Sequence, residues 1–237
     1  MHFDSKIMNK FDNREIIITK DGSATIHFPE LNEQYHSHHG AIQEAQHVFI
    51  KNGFYEVLKG QTYPELKILE MGLGTGLNAL LTYLECEKNS QNVYYTGIEA
   101  YPVLSEEINQ LNYSQLLEDA PKKETILSTI HKANWEKAVS LSPFFTLQKR
   151  KLFFEDFEDQ NAYDLIYFDA FGARVQPELW TEAIFQKMYK ALDFYGVLVT
   201  YSAKGSVRRA LQKVGFYVER LPGPPGKREM LRAVKNA

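Results

Sequence analysis

A chain of 237 residues, 44% hydrophobic and 24% charged, is long enough to bury a full α/β core. Its formal net charge of −3 excludes no class of partner. It has neither an N-terminal apolar leader nor a run of about 18 apolar residues, so it reads as soluble and cytoplasmic, with no membrane partner.

Residues 16–20 and 24–28 are β-rich and flank Asp21-Gly22, a strong hairpin signal. A helix is predicted over residues 40–58, burying Ile42, Ala45, Val48, Phe49 and Tyr55. Residues 1–60 are thus expected to form a hairpin and helix packed on a catalytic domain of residues 61–237. The histidines between them, His36, His38 and His39, with His47 beyond, have no carboxylate or thiolate at metal-ligand spacing nearby. The segment reads as a lid or turn into the following helix, and no metal is expected.

From Leu66 strands and helices alternate as a doubly wound, mostly parallel α/β sheet requires. Strand-like runs fall at residues 66–69, 93–98, 151–154 and 163–168. A helix at 177–192, a strand at 196–201, a helix at 206–214 and strands at 216–221 and 229–234 follow. The expectation is a seven-stranded Rossmann-like sheet with an N-terminal β-hairpin accessory element. Residues 101–145 read as a mostly helical insert, and Cys86, in a helical pattern, as a small buried residue without an intrachain partner.

The run Glu70-Met71-Gly72-Leu73-Gly74-Thr75-Gly76-Leu77-Asn78 sits between the first of these strands and a helix carrying Leu77, Leu80, Leu81 and Leu84. Glycines at such a turn let backbone approach a ligand without a Cβ in the way, and the helix start offers free N–H groups. A dinucleotide fingerprint is G-x-G-x-x-G. Here the third glycine position holds Leu77, and Glu70 would repel a pyrophosphate. An acid there suits the ammonium of S-adenosylmethionine, so the spacing favours that cofactor, contacted by Glu70, Gly72, Gly74, Thr75, Gly76 and Asn78.

Three further acids follow strand-like runs. Glu99 is placed to accept ribose hydroxyls, and Asp156 to accept from the adenine amino group with Phe157 against the ring. Asp169 ends the fourth run. Ligands of open α/β sheets bind at the carboxyl ends of the strands, where all four acids are expected.

From Lys204 onward nine basic residues face two acidic ones, a net of +7, against −10 for the remainder. Lys204, Arg208 and Arg209 surround a helix start, and Lys227 and Arg228 follow the turn Pro222-Gly223-Pro224-Pro225-Gly226. Such asymmetry suggests an anionic partner, with phosphate contacts that would be salt-dependent.

Several segments in order carry a family resemblance: Tyr35-His36-Ser37, Gln46-His47-Val48-Phe49, the glycine turn, Glu99-Ala100-Tyr101-Pro102, Asp169-Ala170-Phe171, Pro177-Glu178-Leu179-Trp180-Thr181, Thr200-Tyr201, Gly205 to Leu211, Gly215-Phe216 and Gly226-Lys227-Arg228-Glu229-Met230-Leu231. Over residues 35–233 the chain resembles the methyltransferase half of the bifunctional bacterial enzymes that complete 5-methylaminomethyl-2-thiouridine at the tRNA wobble position. Where that family commonly has Ala-Pro after Asp-x-Phe, this chain has Gly172-Ala173. The sequence ends at Ala237, so it is expected to act without a flavin oxidoreductase domain, a separate enzyme supplying the aminomethyl group.

The resemblance implies an S-adenosylmethionine-dependent N-methyltransferase of 5-aminomethyl(-2-thio)uridine in tRNA, needing neither metal nor flavin. Asp169 is then the candidate to accept a hydrogen bond from the attacking amine and take its proton. Phe171, Trp180 and Tyr201 are expected to stack on a flipped-out uridine, with Lys204, Arg208, Arg209, Lys227 and Arg228 on the RNA. The readings from residues alone leave a small-molecule or protein methyltransferase, and a non-catalytic nucleotide- or RNA-binding module, as alternatives.

Overall fold

A computed structural model describes residues 13–117 and 120–236. Strands β1 (Glu15–Ile18) and β2 (Ala24–Phe28) pair antiparallel around the Asp21-Gly22 turn, and β3 (Glu33–Gln34) adds a third strand. Asp21 closes the turn by accepting hydrogen bonds from the Ser23 amide and the Thr19 hydroxyl. Helix α1 starts as Ala41–Ala45, continues with π-type hydrogen bonding over Gln46–Phe54, and ends with Tyr55–Val57. Its buried Val48, Phe49 and Phe54 belong to the core beneath the sheet, and Gly53 lets it approach Val199 and Tyr167 closely.

The main sheet begins with β4 (Leu66–Met71), followed by α2 (Leu77–Asn89) and β5 (Val93–Ile98). Residues 101–135 supply the short helices α3 (Ser105–Ile108) and α4 (Tyr113–Leu116) and the longer α5 (Ala120–Lys132). Then come β6 (Ala138–Ser142), β7 (Phe145–Arg150), β8 (Tyr163–Phe168), α6 (Glu182–Ala191), β9 (Leu192–Thr200), α7 (Gly205–Lys213), β10 (Phe216–Pro222) and β11 (Glu229–Lys235). Among the described residues eight strands form this sheet, in the order β10-β11-β9-β8-β4-β5-β7-β6. The five strands from β9 to β7 run parallel.

Three sequence expectations are corrected. The sheet has eight strands rather than seven, because β6, inside the segment read as mostly helical, pairs antiparallel with β7. The third strand is Phe145–Arg150, not residues 151–154. Phe145, Leu147 and Lys149 point inward while Thr146, Gln148 and Arg150 alternate with them, a half-polar pattern that hides a strand. The more apolar Leu152-Phe153-Phe154 follows the strand and enters a 3₁₀ turn, Phe154–Asp156. The helix expected at 177–192 is a 3₁₀ turn, Pro177–Trp180, followed by α6, whose start is capped by Thr181.

One core layer joins α1, α2 and one sheet face, and a second joins α6, α7 and the other. Leu77, Leu80 and Leu81 anchor α2 beneath the sheet, each contributing on the order of 1.5–3 kcal/mol by burial. Among the described residues, no helix is long and apolar enough to cross a membrane.

Candidate active site

Strand register lines up the functional side chains. Met71 is paired with Ile98 on one side and Phe168 on the other, so Gly72, Glu99 and Asp169 emerge side by side at the carboxyl edge. Tyr167 is paired with Val199, which brings Tyr201 beside Asp169. Gly72 takes φ +96°, and a Cβ there would come within 2.7 Å of the Asp169 carbonyl oxygen. Only glycine lets the two strand ends lie this close.

The acids at this edge differ sharply. Glu70 is fully buried; its carboxyl accepts from Asn78 Nδ2 at 2.8 Å and from the Tyr95 hydroxyl at 2.8 Å. Burial, with the nearby Asp169 charge, pushes it well above the usual carboxylate range. Expected against a cofactor ammonium, Glu70 instead faces the α2 layer, because residues 66, 68 and 70 share the strand face that packs there. Asn78 Nδ2 also donates to Asp169 Oδ2 at 2.9 Å, so one amide group joins both carboxyls.

Asp169 is half-buried. Burial and then Glu44 push it up, against the Asn78 hydrogen bond and Lys227, to about 7. A carboxyl poised there exchanges a proton at neutral pH. Glu99 accepts from the backbone amides of Gly74 at 3.0 Å and Tyr101 at 2.8 Å, and burial raises it.

A cleft runs along this edge past Gly72, Glu99, Tyr101, Phe153, Asp169 and Phe171, with Tyr35 and Tyr201 among its walls. Tyr35, absent from the sequence-derived site, lies against Gly74, where a Cβ would come within 2.6 Å of its ring. Its ring also packs on Phe171 at 4.9 Å between centroids. Nothing local in the sequence signals this contact, since 39 residues separate Tyr35 from Gly74. The adjoining His36 is buried, its ring nitrogens 3.0 Å from Thr25 Oγ1 and 3.4 Å from Thr75 Oγ1. Thr75 thereby serves the packing of the turn, and Gly76 caps α2 with φ +74°.

Two aromatic expectations are revised. Phe157 is fully buried against Tyr163, beneath the Arg150 guanidinium, and cannot face a ligand ring. Phe153 and Phe154 line the cleft instead, while Asp156 is exposed in the 3₁₀ turn. Trp180 is core rather than a stacking surface: it packs on Phe168, and its indole N–H donates to the Phe171 carbonyl at 2.7 Å. Tyr201 donates its hydroxyl to the Ala170 carbonyl at 2.7 Å, and Lys227 Nζ sits 3.8 Å from its ring centroid.

Of the basic residues, Lys204, Arg209 and Arg228 are exposed, whereas Arg208 has a buried Nε without a hydrogen-bond partner among the described residues. Lys227 turns inward to Glu44. Among the described residues, no group of three His, Cys, Asp or Glu side chains could hold a metal ion.

A family model described as S-adenosyl-L-methionine-dependent methyltransferase matches residues 110–236. The chain belongs to this methyltransferase family. S-adenosyl-L-methionine is accordingly the methyl donor, and the residues present fit it: Gly72 opens a Cβ-free approach between two strand-end acids, and Asn78 Oδ1 is buried without a hydrogen-bond partner among the described residues. The methyltransferase is 30% identical over 233 residues to the tRNA 5-methylaminomethyl-2-thiouridine biosynthesis bifunctional protein MnmC of Cupriavidus metallidurans, covering 91% of this chain and 33% of the relative. The MnmC protein of Azoarcus sp. is 31% identical over 211 residues, 84% of this chain and 32% of the relative. The chain thus spans about a third of the length of these relatives. Among solved structures, MnmC2 from Aquifex aeolicus shares the fold with a TM-score of 0.75 at 24% identity, covering 95% of this chain and 71% of that one. Spermidine synthase from Thermotoga maritima aligns with a TM-score of 0.51 at 15% identity over 94% of this chain and 69% of its own.

Proposed function

We propose that this methyltransferase converts 5-aminomethyl(-2-thio)uridine at the tRNA wobble position to 5-methylaminomethyl(-2-thio)uridine. The observation that carries the proposal is Asp169, held by Asn78 at the mouth of an aromatic-walled cleft. The names of the MnmC relatives supply the substrate class.

S-adenosyl-L-methionine supplies the electrophilic methyl group. Gly72, Gly74, Asn78 and Glu99 would hold it, with Phe153 and Tyr101 along the cleft from Glu99. The chain's own contribution is to align a neutral amine, and such positioning accounts for a large share of a transfer rate. Asp169 accepts a hydrogen bond from the amine, keeps its lone pair directed into the cleft and takes the proton it loses. Tyr35 and Phe171 offer aromatic surface to the uracil ring, while Lys204, Arg209 and Arg228 contact the RNA backbone. The reaction belongs in the cytoplasm, and a separate enzyme furnishes the aminomethyl group.

The test is incubation with methyl-labelled S-adenosyl-L-methionine and tRNA from cells lacking the terminal wobble modification. Label in 5-methylaminomethyl(-2-thio)uridine is the expected result. Cofactor binding without label in that tRNA would overturn the substrate assignment.

A further inference from the structure

Lys227 follows the turn formed by residues 222–226, which Gly226, with φ +82°, seats so tightly on His39 that a Cβ there would collide with the imidazole ring. The turn is also fixed by backbone bonds from Gly223 N to Arg228 O and from Lys227 N to Pro224 O. His47 Nε2 lies 2.8 Å from the Pro222 carbonyl oxygen. These contacts fix the backbone from which the lysine side chain extends. Its ammonium lies 2.5 Å from Glu44 Oε1 and 3.8 Å from the Tyr201 ring centroid. Glu44 is itself pinned, its second oxygen accepting the Ser37 amide at 2.8 Å.

We infer that Lys227 is a positioning residue of the transfer site: clamped between Glu44 and the Tyr201 ring, it acts on the charge state of Asp169 rather than on an RNA phosphate. The inference rests on the role given to Asp169 above. Asp169 is faced by Glu70 and Tyr95 on the α2 side through Asn78, by Tyr201 from the end of β9, by Glu44 from α1 and by Lys227 from the loop before β11. Lys227 is the cation in this set among the described residues, and with the Asn78 hydrogen bond it favours the ionised carboxylate that a departing amine proton needs. The Tyr201 ring on which the ammonium sits belongs to the strand end beside Asp169, so the lysine charge reaches the carboxyl across that ring, favouring its ionised form while Glu44 opposes it. The pair makes opposite demands on one carboxyl, and moving either partner should move Asp169 in a known direction.

The experiment titrates the Asp169 carboxyl by ¹³C NMR in the full chain, its signal assigned by loss in Asp169→Asn. Lys227→Met is expected to raise the midpoint by about half a pH unit or more, Glu44→Gln to lower it, and Lys227→Arg to hold it within a few tenths. Midpoints that stay put, or that move the same way in Lys227→Met and Glu44→Gln, overturn the inference, since general loosening has no reason to produce opposite signs. In tRNA methylation, Lys227→Met should lower kcat at neutral pH about three- to tenfold with KM for tRNA unchanged. A raised KM, a shallower salt dependence and an unmoved carboxyl would instead make Lys227 a phosphate contact. The carboxyl titration uses no tRNA, so failure of this inference is distinguishable from failure of the substrate assignment.

Discussion

Asn78 Nδ2 lies 2.9 Å from Asp169 Oδ2, and the same nitrogen lies 2.8 Å from the buried carboxyl of Glu70. One amide group thus fixes the side chain proposed to receive the proton and closes a layer in which a carboxyl is fully buried. Asn78→Ala removes both bonds at once and leaves two acids facing each other. The expected result is a loss of roughly 1–3 kcal/mol of stability in urea denaturation, with turnover down at least about tenfold. Turnover near wild type would detach Asn78 from the chemistry.

The raised pKa of Asp169 sets a pH signature. Its unfolded value is near 3.8 and its folded value about 7, so between these limits the folded protein binds more protons than the unfolded chain. This group's contribution to stability is therefore present at low pH and is lost as pH rises from about 4 through about 7. His36 works oppositely: burial lowers it from 6.5 to about 4, so its contribution is present above 6.5 and fades as pH falls toward 4. Comparing denaturation midpoints of wild type and Asp169→Asn across that window isolates the acid. The variant should gain on wild type as pH rises, and parallel curves would contradict the assigned shift.

Glu70 and Glu99 should respond differently to loss of charge. Glu70 is buried beside Asp169 and faces Asn78 and Tyr95 rather than the cleft, so Glu70→Gln keeps a group of similar shape within that layer. Isothermal titration with S-adenosyl-L-methionine should find its affinity within about threefold of wild type. Glu99→Gln removes a charged acceptor at the cleft and should weaken binding about tenfold or more. Equal losses would put Glu70 back in direct contact with the donor.

At Gly74, φ is +47° and an added Cβ would sit 2.6 Å from Tyr35 Cε1. Gly74→Ala combines backbone strain of about 1–2 kcal/mol with a clash against an aromatic wall. Cofactor affinity should fall by more than about tenfold. Adding Tyr35→Ala should recover part of the loss, because the clash is relieved and the strain remains; no recovery would place Tyr35 elsewhere in solution.

The sequence made the cofactor edge legible because its signal is local. Gly72, Gly74 and Gly76 lie within five residues, and strand polarity alone carries Glu99 and Asp169 to the same edge. The third strand was not legible, since the polar positions Thr146, Gln148 and Arg150 masked it while Phe153 and Phe154 imitated one. The direction of Glu70 follows from counting alternate residues along β4. Tyr35, Glu44 and the inward turn of Lys227 depend on contacts between distant segments, which composition cannot encode. Lys227 stood in a basic run, and only its three-dimensional partners separate it from the exposed Arg228.

The ion pair between Glu44 and Lys227 spans 183 residues. During synthesis the glycine turn and its strands leave the ribosome well before the lysine exists, and the last strand, β11, must pair with β9, carrying β10 at its outer edge, to bring it home. Closing so long a loop is slow compared with forming local helices. The glycine turn is thus built from early, local segments, whereas the side facing Asp169 is finished only when β11 joins the sheet.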